Sequence, residues 1–251
     1  MNTKNIFLSY ILDKQTPTYG DRNKFEQIKK SDISKGDVAN DTTISTTVHI
    51  GTHIDMPYHF FEDGQTIEDF DADFWIFTQK EILFIELKIE NLELIIKDKL
   101  INELEKIKDN SQFSILNSQL LIVKTGICNI RDKKEFWNEN YGFHPDIANY
   151  LRDNFPSIRV FGFDSISVSS FQERMIGRES HKSFLDSSNP ILLLEDMDLR
   201  NIDKNTKFKE IIVSPLRISN CDGLPCTIIA KIQKEQFSIL NSQLFSGILM
   251  V

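Results

Sequence analysis

His49-Ile50-Gly51-Thr52-His53-Ile54-Asp55-Met56-Pro57-Tyr58-His59-Phe60 is the stretch on which the reading of this chain turns. The chain has five histidines in 251 residues, and three of them fall within residues 49–59, with an aspartate between the second and third. Neutral imidazole and carboxylate are the usual ligands of a catalytic divalent metal. Ile44 to Ile50 is β-branched and reads as a strand. His53, Asp55, Pro57 and His59 are spaced by two, so an extended backbone turns them to one side. His49 has the same parity, but four extended residues span roughly 13 Å, too far for His49 and His53 to share an ion on a straight strand. Gly51 supplies the needed bend, and Pro57 ends regular pairing. The expectation is a strand that kinks at Gly51-Thr52 and delivers its ligands from an irregular loop. A polar surface strand with incidental histidines is the plain alternative.

Working outward, size and composition fit one domain. A chain of 251 residues can bury a full core. Its apolar content of 40% and charged content of 26% are ordinary for a globular protein. The net charge of −8 argues against non-specific nucleic-acid binding. The apolar run near the N-terminus is short for a signal peptide, and no stretch is long enough to span a bilayer. Cys128, Cys221 and Cys226 are odd in number and lack framework spacing, which suits a reducing cytoplasm. The Cys221/Cys226 pair reads better as buried thiols than as a metal site.

Several strands alternate with short helices, so the fold class is α/β with a mixed sheet flanked by helices. Strands are expected at residues 6–10, 82–89, 119–125, 158–163, 191–195, 210–215 and 226–232. Helices are expected at 94–108, where Ile96, Leu100, Leu104 and Ile107 have helical spacing, and at 133–141 and 145–152. Residues 22–43 read as an irregular connection or an edge strand. His144 precedes Pro145 at a helix start and fits a capping or surface role better than a ligand role. The nine residues 236–244 (QFSILNSQL) repeat 112–120 without a mismatch. This is no solenoid repeat, and residues 233–251 stand as an appended tail beyond a single domain of residues 1–232.

The motif HIGTHIDMPYHF resembles the HxGTHxDxPxHF signature of the metal-dependent cyclase/hydrolase family, which includes bacterial kynurenine formamidase and isatin hydrolase. Every fixed position of that signature is present. Looser similarities run from about residue 6 to residue 232 and end on Asp222-Gly223-Leu224-Pro225, which looks like the family's closing D-G-x-P. The resemblance implies a swivelling β/β/α architecture and a homodimer or higher oligomer. It also implies a ligand histidine and glutamate further along the chain. These would be His181, at the start of a helical segment, and Glu195, at the end of the apolar strand ILLLE. The gap between the two is about two residues longer than in the family pattern. A carboxylate straight after ILLL is in any case a poor choice for burial without a partner.

His49, His53 and Asp55 are thus the core ligands, and His181 and Glu195 complete a site for one or two divalent ions, zinc or manganese. Asp55 or Glu195 would bridge a pair. His59, beyond Pro57, is assigned as general base and then acid to the leaving amine. Thr52 supports the loop. Tyr19 is either a pocket residue or an exposed loop aromatic. Phe60 and Phe61 either wall the substrate or pack in the core. Asp164 either orients a ligand histidine or caps the next turn. The reaction class that follows is hydrolysis of an amide-type C–N bond of a small molecule, a formamide or a lactam. A cyclase or dehydratase, or a metal- or ligand-binding protein without turnover, are the competing readings.

Overall fold

A computed structural model describes residues 2–89, 94–110 and 113–233; the second copy of the nine-residue repeat lies outside them. The strands are β1 (Thr3–Phe7), β2 (Glu26–Ser31), β3 (Asp41–Ser45), β4 (His53–Asp55), β5 (Ile76–Thr78), β6 (Ile82–Glu86), β7 (Ile95–Ile96), β8 (Leu120–Lys124), β9 (Gly142–Phe143), β10 (Val160–Phe163), β11 (Leu192–Glu195), β12 (Phe208–Pro215) and β13 (Gly223–Gln233). The helices are α1 (Asp98–Asn110), α2 (Glu135–Asn138), α3 (Asp146–Asn154) and α4 (Arg174–Phe184).

The main sheet runs β5-β12-β13-β4-β11-β10-β8-β6, with β1 paired to β13. β6, β8, β10 and β11 are parallel neighbours. In β8, β10 and β11 every residue is buried. Such strands lose the polar alternation of a half-exposed sheet, which is why QLLIVK, VFGF and ILLLE read as continuous apolar runs. Phe161 of β10 stacks on Phe184 of α4, with ring centroids 5.1 Å apart. Leu100 and Leu104, one turn apart on α1, are fully buried.

β4 is three residues long, yet it lies between β11 and β13 and pairs antiparallel with both. Its register sets the site. His53 faces Glu195 on one side and Pro225 on the other, while Asp55 faces Leu193 and Gly223. Directly opposed residues share a sheet face, as do residues two apart on one strand. His53, Asp55 and Glu195 therefore project from the same face, although Glu195, at the end of the strand ILLLE, lies 142 positions after His53.

Several elements differ from the sequence expectation. The strand expected at 44–50 ends at Ser45, and His49 lies on an unpaired loop. The 22–43 connection contains β2 and pairs it with β3 as a hairpin whose residues are almost all exposed. With no buried face there is no period-two pattern to read. The helix expected at 133–141 is a single turn, α2. α4 begins seven residues before His181, so His181 lies in its last turn instead of its first. The interior Gly177 hid the front of this helix. A Cβ at Gly177 would stand 2.0 Å from Ser169 Oγ, so glycine lets the helix press against the loop that leads into it.

Candidate metal centre

The bend at Gly51 brings the motif together. Gly51 has φ +58°, a left-handed conformation that glycine adopts without strain. Its carbonyl oxygen accepts a hydrogen bond from His53 Nδ1 at 2.8 Å. This fixes the His53 ring and leaves Nε2 facing inward, 3.4 Å from Asp55 Oδ1 and 3.3 Å from Glu195 Oε2. His181 is held in the same way. Its Nδ1 donates to the Gly177 carbonyl one helical turn earlier, at 2.9 Å. Its Nε2 lies 3.4 Å from Asp55 Oδ2 and 3.9 Å from Glu195 Oε1. Glu195 Oε1 accepts from the Val168 backbone N–H at 2.7 Å. All four side chains are buried.

Three observations fit this group to a divalent cation. Both imidazoles commit Nδ1–H to a backbone carbonyl, the arrangement that leaves Nε2 free to ligate. The buried Oδ2 of Asp55 has no hydrogen-bond partner among the described residues. The separations of 3.3–3.4 Å between ring nitrogens and carboxylate oxygens are long for charge-assisted hydrogen bonds, at about 2.7–2.9 Å. They match the roughly 3.4 Å between neighbouring ligand atoms on a tetrahedral ion with bonds of about 2.1 Å. Electrostatics agree. Burial lowers the pKa values of His53 and His181, yet Asp55 and Glu195 outweigh it and raise both. The group demands positive charge, which protons or a metal ion can supply.

A second cluster sits on the same Asp55. His49 places Nδ1 2.8 Å from Asp55 Oδ1 and Nε2 2.8 Å from Asp222 Oδ2. His59 directs Nδ1 to the same Asp222 oxygen at 3.1 Å, and its ring lies 4.1 Å from that of His49. Burial opposes charge on His49, but Asp55 and Asp222 outweigh it and raise its pKa to about 9. Burial lowers the pKa of His59 below the ordinary histidine value; Asp55 and, less, Asp222 oppose it only in part, and the neighbouring His49 and His181 add to it. The hydrogen bond from His49 holds Asp222 well below the usual carboxylate range. His49, Asp55 and His59 form one set of ligand atoms within 4.8 Å of one another; His53, Asp55 and Glu195 form another. Asp55 is common to both.

A model of the Cyclase family, described as "Putative cyclase", matches residues 6–170. The chain belongs to the Cyclase family. Among the relatives it resembles, a kynurenine formamidase of Bacillus anthracis is 28% identical over 188 residues, 75% of this chain and 78% of that protein. A kynurenine formamidase of Bacillus mycoides is 26% identical over 227 residues, 90% and 96% of the two chains. Isatin hydrolase A from Labrenzia aggregata shares the fold, with a TM-score of 0.74 at 18% identity over 92% of this chain and 94% of that one. A solved structure described as a potential metal-dependent hydrolase with cyclase activity superposes with a TM-score of 0.69 at 20% identity, covering 93% of this chain and all of the other.

In this member of the Cyclase family both clusters face a cavity of about 380 Å³, whose wall also includes Tyr19, Ile166 and Ser169. Tyr19 is tied down by its hydroxyl, which donates to the Ser170 carbonyl at 3.2 Å. Thr52 donates to the Asp196 carbonyl at 2.6 Å and accepts from the Tyr10 N–H at 3.1 Å, so it joins the motif loop to the strand end that carries Glu195. Phe60 stacks on the His181 ring, with centroids 4.8 Å apart. Phe61 packs against the main core. Asp164 touches no ligand histidine. It accepts from the backbone N–H groups of Thr125 and Gly126, each at 2.8 Å, and so caps the turn after β8.

Two features were not assigned from sequence. In the sequence Asp222 is marked only by the closing D-G-x-P motif, and nothing local says that it faces His59. Asp196 adopts φ +51° directly after Glu195, and Arg131 grips its buried carboxylate through Nε at 2.9 Å and Nη2 at 2.6 Å.

Proposed function

We propose that this chain is a metal-dependent hydrolase that cleaves an amide-type C–N bond, in a formamide or a lactam, using His59 to move the proton. The observation that carries the reading is the convergence of His53 Nε2, His181 Nε2, Asp55 and Glu195, each fixed from behind, beside a cavity that His59 also lines. The kynurenine formamidase relatives support the bond type.

His53, His181, Asp55 and Glu195 would hold one divalent ion, zinc or manganese by their donor types, and His49 with Asp55 would add a second. Bound there, a divalent ion supplies Lewis acidity, which makes water nucleophilic near neutral pH and polarises a carbonyl. The chain's own residues handle the proton. Asp222 engages His59 Nδ1, so His59 Nε2 is the nitrogen available to accept a proton from the attacking water. His59 is neutral near pH 7 because burial lowers its pKa, as a base requires. As the C–N bond breaks, the same proton passes from Nε2 to the leaving nitrogen, giving an amine and a carboxylic acid. Tyr19 and Ile166 offer the flanks of an aromatic substrate.

A second reading, in which the same centre promotes ring closure or dehydration, rests on the match to the Cyclase family. A homodimer is the proposed assembly. Phe7 and Ile11, 68% and 88% exposed, border an apolar groove that offers it surface. A cytoplasmic setting suits the three free cysteines, and no described helix is long and apolar enough to cross a membrane. The test is turnover of formanilide by metal-reconstituted protein in ¹⁸O water. Formate carrying solvent oxygen is expected. Intact formanilide, together with no opening of isatin or other lactams, would count against hydrolysis.

A further inference from the structure

Accepting that proposed reaction, we infer that Arg22 is a specificity residue: it receives a carboxylate carried by the substrate away from the bond that is cleaved. Arg22 lines the cavity together with His49, His59 and Tyr19. It is the one lysine or arginine among the described residues of that wall, and it forms no ion pair among the described residues. The neighbouring cations are used elsewhere. Lys24 pairs with Asp21 at 3.0 Å, and Arg174 lies over the Phe171 ring at 4.1 Å.

The loop that presents Arg22 is built to hold a fixed shape. Gly20, Asp21 and Asn23 have φ values of +72°, +55° and +52°. Aspartate and asparagine are the side chains that best tolerate the left-handed region, so Asp21 and Asn23 make a tight, irregular turn on either side of Arg22. The loop is pinned on its N-terminal side. The Asp21 N–H donates to the Thr18 carbonyl at 2.9 Å, and the Tyr19 ring packs edge-on against Phe171 at 5.5 Å. Thr18 is 3% exposed and also lines the cavity, yet its buried hydroxyl has no hydrogen-bond partner. Burying a hydroxyl without a partner is costly, a deficit that a ligand acceptor seated beside Thr18 in the cavity would relieve.

The chemistry selects a carboxylate. The guanidinium is always charged, and its planar fork matches two carboxylate oxygens. The proposed metal ligands line the same cavity, so one substrate can present its acid to Arg22 and its amide to those ligands.

The test compares 3-formamidobenzoate with its methyl ester, which has the same reacting amide and no charge. The wild-type protein, reconstituted with metal, is expected to favour the acid by tenfold or more in kcat/KM, mainly through KM. Arg22→Met should reduce that ratio to below threefold, and Arg22→Lys should restore part of it. No preference in the wild type, or the same preference in Arg22→Met, would overturn the inference. If neither compound releases formate, the hydrolase reading fails and the arginine is judged by binding alone, through calorimetric titration with benzenesulfonate. A dissociation constant at least tenfold weaker in Arg22→Met supports the anion site; equal constants overturn it.

Discussion

His53 and His59 lie six residues apart and face one cavity, but the molecule treats them differently. The His53 side chain is 5% exposed, and a backbone carbonyl holds its Nδ1; the His59 side chain is 28% exposed, and the carboxylate of Asp222 holds its Nδ1. Two carboxylates confront the inner ring at 3.3–3.4 Å. The outer ring stands against another histidine, His49, at 4.1 Å between centroids. A ring buried among carboxylates and locked by the main chain is suited to ligation. A half-exposed ring that leans on a side chain is suited to gaining and losing a proton. The motif writes both as histidine; their surroundings divide the work.

This division can be broken most severely at Asp55, which both clusters share. Asp55→Asn is expected to lose detectable formamide hydrolysis. Chelator treatment should lower the melting temperature of the wild type by roughly 5–10 °C, for an ion contributing about 2.7 kcal/mol, and should leave that of the variant unmoved. Differential scanning calorimetry reads both.

The next largest effect falls on the outer ring. His59→Ala should cost about 10²–10⁴-fold in kcat, as removal of a positioned base does, with metal content unchanged by elemental analysis. Because burial lowers the His59 pKa, wild-type kcat/KM should be flat near pH 7 and fall with acidification only below about 6.5. A limb above pH 7 would speak against His59 as the base.

Asp222→Asn is expected to be milder, at roughly 10–100-fold, in keeping with loss of a residue that orients another. Its hydrogen bond raises the His59 pKa. The variant's acid limb should therefore move to lower pH, which a pH–rate profile reads directly.

The smallest effect is expected at Gly223. A Cβ there would stand 2.5 Å from His49 Cε1. Gly223→Ala should turn the His49 ring off its rotamer at about 0.5–1.5 kcal/mol, a several-fold loss in kcat/KM with the inner ligands undisturbed.

The central motif was legible because its chemistry is concentrated. Ligand types, a bend-forming glycine and a proline stand within twelve residues, and the left-handed Gly51 is present as expected. Glu195 was legible because a charge ends a fully apolar strand. The register that sets it opposite His53 was not, since β4 and β11 are brought together by a crossover no local pattern encodes. The start of α4 was hidden by Gly177, whose reason is a contact with Ser169 and not a helix end. The β2–β3 hairpin was illegible because it buries almost nothing. Asp222 was obscured in another way. Its neighbour Gly223 looks like part of a turn, whereas the glycine makes room for His49 and the aspartate reaches His59.

Elemental analysis of metal per chain, on untagged protein after reconstitution with zinc or manganese, tests the central claim most directly. At least one ion per wild-type chain is expected, retained in His59→Ala and lost in Asp55→Asn. No uptake by the wild type, or equal uptake by Asp55→Asn, would contradict the inner cluster as a metal centre.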